Sequence, residues 1–325
     1  MGVKMIGKIL EIANNNRFLS LKRGCMNISD SKTKQSIADI PLDDIDGIIL
    51  SGHGLWHSTN LLAKLAHLGI TVVIIDSHYK PIAIVIGISN NTLQGQRIIA
   101  QHDANLSMNK RLWQEIVQTK LLFQTSLLAY HKSDKTNQVK LLIKNVKSGD
   151  PSNLEAQGAR YYWQGLMQKI YPDFKREQDS NDSINIALNY GYTILRTAVA
   201  KNILAAGLHA GWGIHHCHPN NTMPLADDLM EPFRAFVDAK VYALSKGGYL
   251  NDNDTINNIA KKSLADVIYT DILILGETKP LINYLQTLAQ SLVRIYMNEG
   301  KILAFPEVKK IHWEDFEEIH RNEKS

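Results

Sequence analysis

The stretch HHCHPNNTMPLADDLMEPFR, residues 215–234, sets three histidines and a cysteine in front of three carboxylates. Imidazole, thiolate and carboxylate are the side chains that hold divalent ions, so the residue types point to metal chemistry. The spacing removes most of the candidates. Neighbouring residues in regular structure point in different directions, so HHCH cannot give four ligands to one ion. Zinc sites use spaced pairs such as C-x2–4-C or H-x3–5-H, and no second pair is present. One or two of these histidines are the most that can bind. The next segment, MPLADDLMEPFRAFVDAKVYAL, reads as a helix with Leu225, Leu229, Phe233, Phe236 and Val237 as its apolar stripe. Asp227 and Asp228 stand four and three residues before Glu231, so either can share a face with it. Acids near a helix N-terminus also suit the helix dipole. Pro232 has no N–H for the Asp228 carbonyl, so a local bend is expected there.

A second candidate is DPSNLEAQGARYYWQGLMQKI, residues 150–170. Pro151 suits a helix start, with Asp150 or Ser152 as cap. Glu155, Ala159, Tyr162 and Leu166 share one largely apolar face, where an unpaired carboxylate is costly and an ion would satisfy it. Ser152-x-x-Glu155 also reads as a capping box, and from this segment alone the capping box is the better reading. Arg160 is either a phosphate contact through its guanidinium or a surface arginine. Tyr161, Tyr162 and Trp163 either stack on bases or belong to the core, and core is favoured for Tyr162.

These segments need elements to position them. Residues 1–90 read as a β-rich domain of short β-branched or alternating runs, with one helix from about Thr59 to His67 ending before Gly69. Within it, IILSGHGLWHSTNLLAKL has the strand–glycine–helix order of a dinucleotide-binding turn. The third glycine is missing and no βαβ series follows, so turn glycines before a helix capped by Ser58 or Thr59 explain it better. Residues 91–104 read as a polar link. From 105 to 325 the period changes to 3.6, with helices expected at about 105–131, 135–147, 152–170, 184–206, 225–246, 253–265 and 279–298. The fold class is therefore α+β: a small β-rich N-terminal domain, then a larger all-α C-terminal domain with its own core. KILAFPEV near the end reads as a strand or extended piece, and HWEDFEEIHRNEKS as a polar, loosely ordered tail.

Composition narrows the class. The 325 residues are 44% hydrophobic and 21% charged, with a net charge of +4, which permits a nucleic-acid partner without requiring one. No apolar run is long enough for a membrane span. Two cysteines, Cys25 and Cys217, make no disulfide framework, and a cytoplasmic setting is expected.

PSNLEAQGARYYW and GIHHCHPNNTMPLADDLMEPFRAFVD, joined by INIALNYGYTILRTAVAKNILAAGL, resemble the CRISPR adaptation integrase family, the larger of the two CRISPR-associated proteins of spacer acquisition. The flavour resembles the subtype that accompanies type II loci, and the resemblance spans the chain. It implies that Glu155, His216 and Glu231 bind a divalent metal, Mg²⁺ or Mn²⁺, and are catalytic. His216 stands fifteen residues before Glu231, so His215 is implied to be only its neighbour. Asp228 matches an acidic position that assists the metal or orients a ligand, and Asn221 a recurring asparagine. Two departures stand out: His218 replaces an expected polar residue such as Asn, adding a further contact to metal or phosphate, and Gly158 replaces an alanine. The family implies a homodimer that joins a small adaptation partner in a heterohexamer-type complex and carries double-stranded protospacer DNA. It implies insertion into the CRISPR repeat by attack of a 3′-hydroxyl on a phosphodiester at the leader–repeat boundary. Mg²⁺ or Mn²⁺ suits two carboxylates and one imidazole on ligand chemistry alone. Two rivals are a metal-dependent phosphohydrolase, for which His102-Asp103 stands in the wrong order, and a non-catalytic DNA-binding scaffold.

Overall fold

The computed structural model describes residues 8–76, 81–85, 87, 93–180, 182–250, 256–274, 277–308 and 311–319. The chain divides into two compact units, Met1–Asn90 and Asn91–Ser325.

The first unit is built from β1 (Lys8–Ile12), β2 (Arg17–Lys22), β3 (Cys25–Asp30), β4 (Ser36–Pro41), β5 (Ile45–Leu50), β6 (Trp56–His57), α1 (Thr59–His67), β7 (Thr71–Ile75) and β8 (Pro81–Val85). Two four-stranded sheets result, in the orders β1-β5-β7-β8 and β4-β3-β2-β6. Strands β1, β5 and β7 run parallel, and β8 closes that edge antiparallel. The apolar runs supply Ile12, Leu19, Met26, Ile48 and Val72, which pack in one cluster with Leu61 and Leu65 of α1. The glycines of SGHG serve this packing. Gly52 backs onto the Asn14 carbonyl, 2.6 Å from where a Cβ would stand, and Gly54 has φ +65°. Ser58 caps α1 by accepting from the Leu61 N–H.

The second unit is helical: α2 (Gln94–His102), α3 (Leu106–Tyr130), α4 (Thr136–Ile143), α5 (Leu154–Leu166), α6 (Ser183–Ala205), α7 (Pro224–Met230), α8 (Arg234–Lys246), α9 (Asn258–Asp266), α10 (Leu281–Tyr296) and α11 (Trp313–Glu317). Three corrections to the sequence reading belong here. The polar link at 91–104 carries α2. A hairpin of β9 (Asp271–Ile274) and β10 (Glu277–Pro280) interrupts the otherwise helical unit. The stretch after 312 is no loose tail as far as residue 319, because Trp313 and Phe316 lie one turn apart and are buried against Phe236. Trp313 Nε1 donates to Ser126 Oγ at 2.9 Å, and Lys240 Nζ donates to the Glu318 carbonyl. KILAFPEV forms no strand; Arg111 donates to the Lys301 carbonyl and Glu115 accepts from the Leu303 N–H.

Helix α3 is the axis of the site. Trp113, Ile116, Val117, Leu121 and Leu127 are fully buried along it. Helix α5 comes close because two of its residues have no side chain. A Cβ on Gly158 would meet Leu121 Cδ2 at 2.2 Å, and one on Gly165 would meet Leu128 Cδ2 at 3.0 Å. Both pairs step by seven residues in the same direction, so α3 and α5 run alongside each other.

Candidate catalytic site

Glu155 stands in the first turn of α5. The helix starts at Leu154 and not at Ser152, and Asn153 caps it by accepting from the Ala156 N–H. Asp150 accepts from the Leu154 and Glu155 N–H groups, both at 2.9 Å. With those donors taken, Glu155 is free of the capping box and turns to α3, where Lys120 Nζ lies 2.5 Å from its Oε1.

Glu231 follows from Pro232. The expected bend takes the form of a 3-10 turn over Glu231–Phe233 between α7 and α8. It turns Glu231 inward, where the side chain is 8% exposed and its Oε2 lies 2.6 Å from Lys120 Nζ. Arg234 Nη2 lies 2.9 Å from its other oxygen. Burial alone would push the Glu231 carboxyl up, but the Arg234 and Lys120 cations hold it down at about 2. The Lys120 ammonium is buried as well, and its two carboxylates outweigh that burial and raise it.

His216 reaches the same place from the loop before α7. Asp228 is fully buried and gathers that loop. It accepts from the N–H groups of Ile214, His215 and His216 at 2.6, 2.9 and 3.3 Å, and from His216 Nδ1 at 2.5 Å. Gly213 makes the wrap possible, since a Cβ there would stand 2.3 Å from the His216 carbonyl oxygen. The Asp228 hydrogen bond raises the His216 imidazole against the opposing effect of burial, and Glu231 and Glu155 are near enough to add to the rise. With Nδ1 committed, Nε2 is the nitrogen left to face a ligand. Trp113 holds the two histidines differently: His215 stacks flat on it at 4.2 Å, and His216 meets it edge-on at 5.4 Å.

The remaining candidates fall outside this convergence. Asn221 accepts from Arg196 Nη2 and the Met223 N–H and donates to Asp227, and Arg196 pairs with Asp227 at 2.6 Å. Asn221 thus orders the loop together with Asp227. His218 is exposed, with Nδ1 accepting from the Asn220 N–H. Arg160 is exposed on α5. Tyr162 is core: its hydroxyl donates to Asp238 at 2.8 Å, and Tyr192 donates to the other Asp238 oxygen at 2.5 Å. Arg234 lies over the Tyr192 ring at 4.7 Å, which joins this buried network to Glu231. Burial pushes the Asp238 carboxyl up to about 6 despite both tyrosine hydrogen bonds.

Sequence reasoning missed Lys120 and Arg234. The signal for Lys120 was present, because it occupies the apolar stripe Trp113, Ile116, Val117, Lys120, Gln124, Leu127 of α3, where a lysine stays only with anions beside it. Among the described residues no three His, Cys, Asp or Glu side chains are placed to hold an ion as they stand. Lys120 occupies the space between the two carboxylates. As a donor set, two carboxylates and a free imidazole nitrogen match an oxygen-preferring divalent ion.

The model of the family described as CRISPR associated protein Cas1 matches residues 10–269. A CRISPR-associated endonuclease Cas1 of Neisseria meningitidis serogroup C is 31% identical over 247 residues, 76% of this chain and 78% of that protein. A second, from Saccharolobus solfataricus, is 27% identical over 251 residues, 74% of this chain and 76% of its own length. Among solved structures, a casposase bound to integration product shares the fold with a TM-score of 0.79 at 20% identity, covering 94% of this chain and 96% of that one. A CAS1 protein from Thermotoga maritima shares it with a TM-score of 0.74 at 14% identity, covering 92% and 100%. The match over most of the chain, together with the Neisseria relative, shows that this chain belongs to the Cas1 family of CRISPR-associated proteins.

Proposed function

We propose that the chain is a metal-dependent DNA endonuclease and integrase of CRISPR adaptation, with Glu155, His216 and Glu231 as its metal ligands and catalytic residues. The observation that carries this reading is the convergence of two carboxylates from α5 and the α7–α8 turn with an imidazole whose Nδ1 is already tied to Asp228. A bound Mg²⁺ or Mn²⁺ supplies positive charge that polarises a phosphodiester and stabilises the attacking or leaving oxygen. The chain's own residues do the rest. Asp228 fixes the imidazole through Nδ1 and leaves Nε2 to meet a ligand. Arg234, held over Tyr192, keeps Glu231 ionised and oriented. With a 3′-hydroxyl of protospacer DNA as nucleophile the outcome is insertion at the leader–repeat boundary; with water it is cleavage.

Duplex DNA, a second copy of the chain and a small adaptation protein are the proposed partners, and the cytoplasm the proposed setting. The casposase above is bound to integration product, and another protein of this fold stands in a Cas6-RT-Cas1–Cas2 complex. No described helix is long and apolar enough to cross a membrane. The phosphohydrolase rival is not favoured: His102 and Asp103 pair with each other at 2.9 Å at the exposed end of α2.

Strand transfer of a short duplex into a leader–repeat plasmid, with Mg²⁺ or Mn²⁺, tests the proposal. Glu155→Gln, His216→Ala and Glu231→Gln are each expected to abolish transfer while the protein stays folded and DNA-bound. Near-normal integration by any one of them removes that residue from the set.

A further inference from the structure

Lys120 contacts both carboxylates of the site, and the metal reading gives it no part. Its Nζ lies 2.5 Å from Glu155 Oε1 and 2.6 Å from Glu231 Oε2, and its side chain is only 10% exposed. Two carboxylates and two cations, Lys120 and Arg234, make this cluster neutral without any ion. A divalent ion shared by the same oxygens needs the space that the ammonium fills, and would leave the cluster doubly positive. Arg234 is poorly placed to leave, since it is stacked over Tyr192 and paired with the other oxygen of Glu231. Lys120 has a single ammonium on a flexible four-carbon stem and is the mobile partner.

Resting on the reading that Glu155, His216 and Glu231 bind the metal, we propose that Lys120 is a built-in exchangeable counter-cation. It holds Glu155 and Glu231 together in the metal-free protein and gives them up when a divalent ion is taken. The released ammonium stays beside the site and pairs with a DNA phosphate, so that metal and DNA favour each other's binding. Lys120 is thus a positioning residue that keeps the site shut to metal until substrate arrives.

The test is Mn²⁺ titration of the full chain, followed by calorimetry, with and without a short duplex, alongside melting in chelator and in Mn²⁺. Without DNA, Lys120→Met is expected to bind Mn²⁺ about tenfold more tightly than the wild type, because no charge-assisted hydrogen bonds have to be broken. Its melting temperature should fall in chelator and recover in Mn²⁺. Lys120→Arg keeps the charge and grips both carboxylates, so its Mn²⁺ affinity should fall below that of the wild type; this variant decides the matter if Lys120→Met does not fold. DNA should raise Mn²⁺ affinity in the wild type and much less in Lys120→Met. Equal Mn²⁺ affinity in wild type, Met and Arg variants overturns the exchange, and an equal DNA effect in wild type and Met variant overturns the phosphate pairing. Failure of the underlying metal reading looks different, since Mn²⁺ would then bind neither the wild type nor Lys120→Met.

Discussion

Asp238 gives the most quantitative test of how the buried network is built. It is 1% exposed and accepts from Tyr162 and Tyr192, and burial pushes its carboxyl from 3.8 up to about 6. In the unfolded chain it loses its proton near 4, while the folded protein keeps the proton to about pH 6. Between those values the folded state binds more protons than the unfolded one, so this residue makes stability fall as pH rises from about 4 to about 6, and level off above. At about 1.36 kcal/mol per pH unit the rise is worth about 3 kcal/mol. Asp238→Asn has nearly the same shape, keeps one acceptor oxygen and carries no proton to lose. Relative to the wild type it should therefore gain about 2 kcal/mol between pH 4.5 and pH 7.5, the rest of the effect lying at lower pH, or about 4–8 °C in melting temperature for a unit of this size. Glu231 titrates with the opposite sign, being held at about 2, but is common to both proteins and cancels in the difference. The assay is thermal unfolding of both proteins at half-unit steps from pH 4.5 to 7.5. A difference in melting temperature that stays constant across that range would refute a raised, buried carboxyl at Asp238.

Three other substitutions probe the frame around the site. Asp228→Asn removes the anionic partner of His216 Nδ1 and should weaken Mn²⁺ binding by about 10–100-fold in calorimetry, with folding retained. Arg234→Met leaves Glu231 with Lys120 alone. Glu231 contributes stability above about pH 4.5 that is lost as pH falls towards 2, so the variant should be less stable by about 2–3 kcal/mol at neutral pH and less dependent on pH in that acid range. Gly158→Ala puts a methyl group 2.2 Å from Leu121 Cδ2 in a filled core, and a loss of about 1–3 kcal/mol is expected in denaturant unfolding.

The element plan was largely legible because periodicity reports burial. The stripes of α3, α6 and α10 are continuous, and their ends fall within about two residues of those read from the sequence. Two of the misreadings fall on stretches rich in polar residues. The link at 91–104 is rich in polar residues, but Ile98, Ile99 and Ala100 stand inside it, and α2 is fixed by Arg97 and Gln101, which bond to the backbone of Ala206, His209 and Trp212, partners about a hundred residues away that no local pattern announces. The C-terminal stretch is polar on average, and one aromatic pair, Trp313 and Phe316, decides its docking.

The candidate site rests on the resemblance and only partly on physics readable in the sequence. Residue types and spacing alone left His215, His216 and His218 as alternatives. Their surroundings differ through residues distant in sequence: Trp113, a hundred residues away, stacks His215, and Asp228 captures His216 Nδ1. In the sequence Asp228 is one acid among three, and no local pattern shows that its two oxygens collect three backbone N–H groups. Lys120 was the harder case. NKRLWQEIVQTK is rich in basic and polar residues, which hides that Lys120 lies on the same face as Trp113 and Ile116 and points inward. A lone lysine on an apolar face means either a strand of solvent-reaching methylenes or a buried anion elsewhere in the chain. Glu155, also alone on an apolar face, was that anion, because two opposite charges stranded on two apolar stripes satisfy each other once Gly158 lets the helices close.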